Sequence, residues 1–245
     1  MATIKSKERS VHKKRNKLIS DSIVVYLFSA FIPLLTFLKF QYIYIIQLAI
    51  LTSIISIIQT NMFKIKILNV GIKGEKRVYK KLKKLNKEYL VYNDITLWDG
   101  QNGAQIDHLI MSKYGIINIE TKNMTGEIIG NENDEYWIQK KFGRGSNIYS
   151  NKFKNPCLQA KEHERIIKSS LKFNGVRENL PIKSIVVFNE IQGGRINVNT
   201  RNVKVFKESE LFNYINNQFG KKQIINDVLV DKIIEIFDKR IEGRK

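Results

Sequence analysis

Two apolar runs dominate the first quarter of the chain, residues 22–38 (SIVVYLFSAFIPLLTFL) and 40–58 (FQYIYIIQLAILTSIISII), with Lys39 between them. Neither holds an acidic residue, and each sits at the lower end of the ~17–25 residues a bilayer-spanning helix needs. Pro33 can kink the first run, which helices in lipid tolerate. The short link Lys39-Phe40-Gln41 predicts a helical hairpin with both ends on one side. Lys13, Lys14, Arg15 and Lys17 precede it and Lys64, Lys66 and Lys73 follow it, so the positive-inside rule places both ends in the cytoplasm. A second apolar run, and no small-residue cleavage site, follows the first, which argues against a signal peptide. One span with an interfacial segment, or a buried core hairpin, are the alternatives.

After residue 69 the pattern becomes that of a soluble protein and alternates in type. NVGIKGEKRVYKKLKKLN reads as an amphipathic helix with Val70, Val78, Leu82 and Leu85 on one stripe. YLVYNDIT predicts a strand, and LWDGQNG a turn region from its Asp-Gly and Asn-Gly pairs. AQIDHLIMS and IINIETK predict two strands joined by the tight turn KYG. GEIIG and YWIQK are further short strands, and residues 143–155 form a polar, glycine-containing loop. Pro156 suits the first position of a helix that runs to about Phe173. IKSIVVFN has the continuous apolarity of a buried strand. A strand over 201–206 and helices over 208–217 and 224–241 complete the tail. The order predicts an α/β fold, one sheet with helices on its faces.

Charge narrows the partners. Lys and Arg number 42 against 23 Asp and Glu, a formal net charge of +19. That excess favours a polyanion, either nucleic acid or an anionic membrane surface. Residues 1–20 alone carry seven Lys or Arg and one Glu. The single cysteine, Cys157, excludes an intrachain disulfide and a Cys-cluster zinc site. With no partner in view, it is not read as a nucleophile.

The candidate chemistry lies on the central hairpin. Glu120 and Lys122 are two apart on a strand and therefore project from one face. Asp107 is 13 residues before Glu120, across the turn at Tyr114-Gly115, a spacing that can set its carboxylate beside Glu120. Two adjacent carboxylates make a hard-oxygen site suited to Mg²⁺ (or Mn²⁺). A lysine beside them can hold or deprotonate a water, or stabilise charge on a phosphate. Glu-x-Lys by itself is common by chance. Context adds weight, because charges embedded in apolar strands are costly unless paired or used. Gln105 shares the face of Asp107, whereas His108 points away and reads as structural. Gln159 and His163 share a helix face at i, i+4 and can approach the site from across a cleft. Tyr92 and Trp98 read as packing residues. Lys140, Lys141, Arg144, Lys152 and Lys154 surround the 143–155 loop and can track a phosphate backbone. Lys80, Lys81, Lys83, Lys84 and Lys87 form a second basic face.

Several of these residues stand in a recognisable order. Gly71-x-x-Gly74-Glu75, Asn93-Asp94, Gln105-Ile106-Asp107-His108, Ile119-Glu120-Thr121-Lys122-Asn123 with Gly126, Trp137, and Asn155-Pro156-x-x-Gln159-x-x-x-His163 resemble the nuclease-related domain (NERD) family. That family looks like a member of the PD-(D/E)xK nuclease superfamily. The resemblance implies a restriction-endonuclease-like mixed sheet flanked by helices. It implies Mg²⁺ held by Asp107 and Glu120, with Glu75 joining them, and water assisted by Lys122. The expected layout is a basic segment over 1–20, a membrane hairpin over 21–60 (helices 22–38 and 40–58), and a nuclease-like domain over 69–190. Residues 191–245 pack on that domain. The expected function is a multi-pass, membrane-anchored nuclease acting on DNA at the cytoplasmic face. The alternative is a non-catalytic tethered module that binds nucleic acid or protein.

Overall fold

A computed structural model describes residues 3–6, 10–31, 41–143, 147–189, 194–218 and 222–242. In chain order the elements are β1 (Thr3–Ser6), α1 (Ser10–Phe31), α2 (Gln41–Leu82), β2 (Leu90–Trp98), β3 (Gly103–Ser112) and β4 (Gly115–Lys122). They continue with β5 (Glu127–Asn131), β6 (Tyr136–Phe142), β7 (Ile148–Lys154), α3 (Pro156–Phe173) and β8 (Ile182–Phe188). Last come β9 (Ile196–Asn199), β10 (Lys204–Lys207), α4 (Glu208–Gln218) and α5 (Asp227–Glu242). The chain divides into two compact units, Glu8–Ile72 on one hand and Met1–Lys7 with Lys73–Lys245 on the other.

In the first unit α1 and α2 touch through Asn61, whose side-chain amide donates to Ser22 Oγ at 3.2 Å. A helix over Ile46–Leu82 is long and apolar enough to cross a membrane. Part of the predicted first span, and residues 39 and 40 of the predicted link, lie outside the described residues. Two helices were expected over 40–58 and from 69 onward; they are one continuous helix. The reason is local: QTNMFKIKIL between them contains neither Pro nor Gly, so nothing stops propagation. Val70 is exposed rather than part of the buried stripe, while Val78, Leu82 and Leu85 are buried as the periodicity requires.

In the second unit a six-stranded mixed sheet runs β1-β2-β3-β4-β8-β10. β4 lies inside it, antiparallel to β3 and parallel to β8. Its residues from Gly115 to Glu120 are all buried, as a strand covered on both faces should be. One face packs Tyr92, Leu109 and Met111 against Ile166, Ile167 and Leu171 of α3 and Ile233 and Phe237 of α5. The other packs Ile110, Ile117, Ile119, Ile185 and Val187 against Val78 and Leu82 of α2 and Leu211 and Ile215 of α4. Each such side chain contributes about 1.5–3 kcal/mol by leaving water.

A single sheet was expected, but β5, β6, β7 and β9 form a second one, in the order β7-β6-β5-β9. Both edges of β4 are already occupied by β3 and β8, so the chain leaving β4 cannot add to that sheet there. It turns at Gly126, whose φ of +87° and contact with the Lys140 carbonyl oxygen exclude a side chain. Residues 143–155 were expected to be a loop; instead 148–154 is β7, antiparallel to β6 from Tyr136↔Lys154 to Phe142↔Ile148. Every residue of β7 but the half-buried Phe153 is exposed, so the segment lacks the in–out alternation of a packed strand. The second sheet buries Trp137, stacked on Phe188 at 6.5 Å between ring centroids, in a third core with Ile128, Ala160 and Val186.

Candidate active site

Strand alternation puts Asn118, Glu120 and Lys122 on the face of β4 that meets α3. Asn118 Nδ2 donates to the Ala160 carbonyl at 2.9 Å and to Ser184 Oγ at 3.1 Å, locking β4, β8 and α3 together. One turn along, the Lys122 ammonium donates to Glu120 Oε1 at 2.7 Å and to Gln159 Oε1 at 3.0 Å. His163 Nδ1 lies 3.5 Å from Glu120 Oε2, too far for a hydrogen bond. Glu120 is 2% exposed, and its Oε2 has no hydrogen-bond partner. Gln159 and His163 thus reach this site from α3 together.

Asp107 arrives from the neighbouring strand. The β3–β4 ladder runs back from Ser112↔Gly115 to His108↔Ile119 and stops there. At that point Asp107 Oδ2 accepts the Thr121 backbone N–H at 2.8 Å, in the place a ladder carbonyl would take. The strands part at Asp107 and open the sheet beside Glu120.

Electrostatics tie the carboxylates together. Burial first, then the charge of Glu120, raises the pKa of Asp107 well above the usual carboxylate range; Asp94 adds a smaller push. Burial also raises Glu120, with Lys122 pulling it back and Glu75 adding to the rise. His163 is pushed down to about 4, by burial and then by Lys122, so it is neutral at pH 7. A depressed base of this kind contributes stability that is lost as pH falls from about 6.5 through 4.

Glu75 reaches this neighbourhood because Gly74 lets α2 come close. A Cβ on Gly74 would stand 2.5 Å from Cβ of Asn123, just beyond the end of β4. Asn189 beside it donates its backbone N–H to the Lys122 carbonyl at 3.0 Å. Gln105 behaves differently from its expected support of Asp107: its side-chain amide donates to Asp94 Oδ1 at 2.5 Å. Asp94 is the acidic neighbour that had been given no role. It stands opposite Asp107, between the pairs Asn93↔His108 and Ile95↔Ile106, and has φ +53°. Its place inside the Asn93-Asp94 motif was the available signal. Among the described residues no group of three or more His, Cys, Asp or Glu is arranged to hold a metal ion.

The remaining residues fall elsewhere. His108 is fully buried, with Nδ1 2.6 Å from Asn93 Oδ1. Cys157 is buried, and its thiol is pushed up to about 12 by burial. Lys140, Lys141, Lys152 and Lys154 lie on the β6–β7 hairpin, and Arg144 falls outside the described residues.

Asn155 ties the β5–β6 turn to the start of α3. Its Oδ1 caps α3 by accepting the Cys157 N–H at 2.8 Å. Its Nδ2 donates to the carbonyls of Asn131, Glu132 and Asp134 at 3.2, 2.9 and 2.6 Å. Asn155→Ala removes the cap and leaves buried acceptors unmet, so a loss of about 2–3 kcal/mol in thermal or urea unfolding is expected. A change within ±0.5 kcal/mol would contradict this reading.

Residues 70–189 match the family model described as nuclease-related domain. The chain is also 29% identical over 186 residues to an uncharacterized protein of Bacillus anthracis, a match covering 75% of this chain and 81% of that protein. No solved structure matches.

Proposed function

With residues 70–189 belonging to the nuclease-related domain family, we propose that this protein is a membrane-anchored, Mg²⁺-dependent nuclease that hydrolyses DNA phosphodiester bonds. The observation that carries the proposal is the position of Lys122, hydrogen-bonded to Glu120 and Gln159 on the strand next to Asp107. An ammonium has three N–H donors and two are engaged here, leaving one for a water or a phosphate oxygen.

The residues fit a divalent cation. Among the described residues Glu120 Oε2 is buried without a hydrogen-bond donor, and the charge of Glu120 raises the cost of ionising Asp107. Asp107 and Glu120 would hold the ion, with Glu75 near enough for its charge to act on Glu120. A divalent ion held there would supply charge stabilisation for phosphodiester hydrolysis. Gln159 fixes the lysine head. His163, kept neutral by burial, does not compete for Glu120 as an imidazolium would.

Membrane anchoring rests on the apolar Ile46–Leu82 helix and the basic residues around it. Basic residues on both sides of the two apolar runs support a hairpin with a cytoplasmic catalytic domain.

The test is cleavage of linear duplex, branched and single-stranded DNA by full-length protein in detergent, with Mg²⁺ against EDTA. Metal-dependent cleavage of at least one substrate is expected. Salt-sensitive binding with every substrate left intact would instead make the domain a tethered binding module.

A further inference from the structure

The β6–β7 hairpin carries an unusual outer face. On β6 the inward residues Trp137 and Gln139 are buried, while Tyr136 and Phe142 on the opposite face are 45% and 65% exposed. Opposite Phe142 stands Ile148, 60% exposed. Lysines alternate with these apolar positions on the same face. Lys154 pairs with Tyr136, Lys152 with Ile138, and Lys140 lies one rung toward the tip. Among the described residues none of these lysines is in an ion pair with a carboxylate. Such a face is costly for a sheet that binds nothing, because apolar side chains stand in water between the lysines.

We propose that this face is a platform for single-stranded nucleic acid, with Tyr136 and Phe142 stacking on bases and Lys140, Lys152 and Lys154 holding phosphates. It rests on the nuclease reading and specifies the substrate form. Stacking on a protein ring needs unpaired bases, since a duplex hides its base faces against one another. Lys140, Lys152 and Lys154 are spread along the two strands, which suits the repeating charge of a polymeric anion. The root leads directly to the active site: Lys154 precedes Asn155, the cap of α3, and Gln159 follows about 6 Å along that helix. A strand lying on the face can therefore continue to Lys122.

Full-length Asp107→Asn protein in detergent, with EDTA, separates binding from cleavage. Its affinity for fluorescent single-stranded and duplex oligonucleotides of one sequence is read by anisotropy. Tyr136→Ala with Phe142→Ala is expected to weaken single-strand binding by about 10- to 100-fold and duplex binding by about two-fold or less. Tyr136→Phe with Phe142→Tyr, which keeps the rings, should restore it. Lys152→Ala with Lys154→Ala should lower the slope of log affinity against log salt by about 1.4. Equal losses on both substrates, or none on either, overturn the proposal while leaving wild-type cleavage to speak for the nuclease reading. A dye at Phe142→Cys, in nanodiscs with anionic lipid, provides the other decisive reading. Quenching by lipid-borne spin labels without oligonucleotide would assign the face to the membrane and also overturn the proposal.

Discussion

Lys122→Met is expected to lower the cleavage rate by about 10²- to 10⁴-fold while leaving oligonucleotide affinity within a few-fold of wild type. Methionine fills the lysine's path without its charge. The loss has two sources. Among the described residues the ammonium is the cation that hydrogen-bonds Glu120, at 2.7 Å, and its remaining N–H is the group poised for a water or phosphate oxygen. Gln159, which accepts from it at 3.0 Å, then has no cation to orient. Gln159→Ala should therefore cost much less alone than Lys122→Met, and almost nothing when added to it, because both act through the same head group. Full additivity of the two would show that Gln159 works independently. An unchanged rate for Lys122→Met would remove the lysine from the mechanism.

Asp107→Asn is expected to abolish cleavage and, at the same time, to make the protein more stable at neutral pH. The carboxyl of Asp107 is raised by burial and by Glu120, so the folded state holds its proton over a pH range where the unfolded chain has lost it. Stability from such a group is fully present below the unfolded value near 4 and disappears as pH rises through the higher folded value. Above that range the ionised pair costs the fold free energy. Asparagine removes the charge yet still offers an oxygen to the Thr121 N–H, which Asp107 accepts at 2.8 Å. A rise of about 2–6 °C in Tm at pH 8, shrinking toward pH 4, is the expected result. Mg²⁺ should raise the Tm of the wild type at pH 8 and leave the variant nearly unmoved, because a ligand stabilises only the state that binds it. A variant less stable than wild type at pH 8 would show that the Thr121 contact outweighs the charge repulsion.

Strand alternation was enough to place Glu120 and Lys122 on one face, and helix periodicity enough to pair Gln159 with His163. Both are local geometry and need no knowledge of distant contacts. Pro156 likewise marked the start of α3 correctly. The same local rules missed the second sheet, because β7 is exposed along almost its whole length and its partner strand is set by the tertiary fold. They did not reveal that Gln105, which shares the strand parity of Asp107, bonds Asp94. The left-handed backbone at Asp94 brings a different carboxylate to the Gln105 amide.

The sequence by itself therefore determined most of the elements and their apolar faces, the basic character of the chain and the residues able to do chemistry. Those follow from periods of 2 and 3.6 and from side-chain pKa values, all of them local properties. Only the tertiary structure decided that β3 leaves β4 at Asp107, that Gly74 admits α2 to the strand ends, and that α3 sets Gln159 and His163 against Lys122 and Glu120. Those depend on which edges of β4 are already occupied and on how closely backbones can approach, properties of the packed chain rather than of any segment of it.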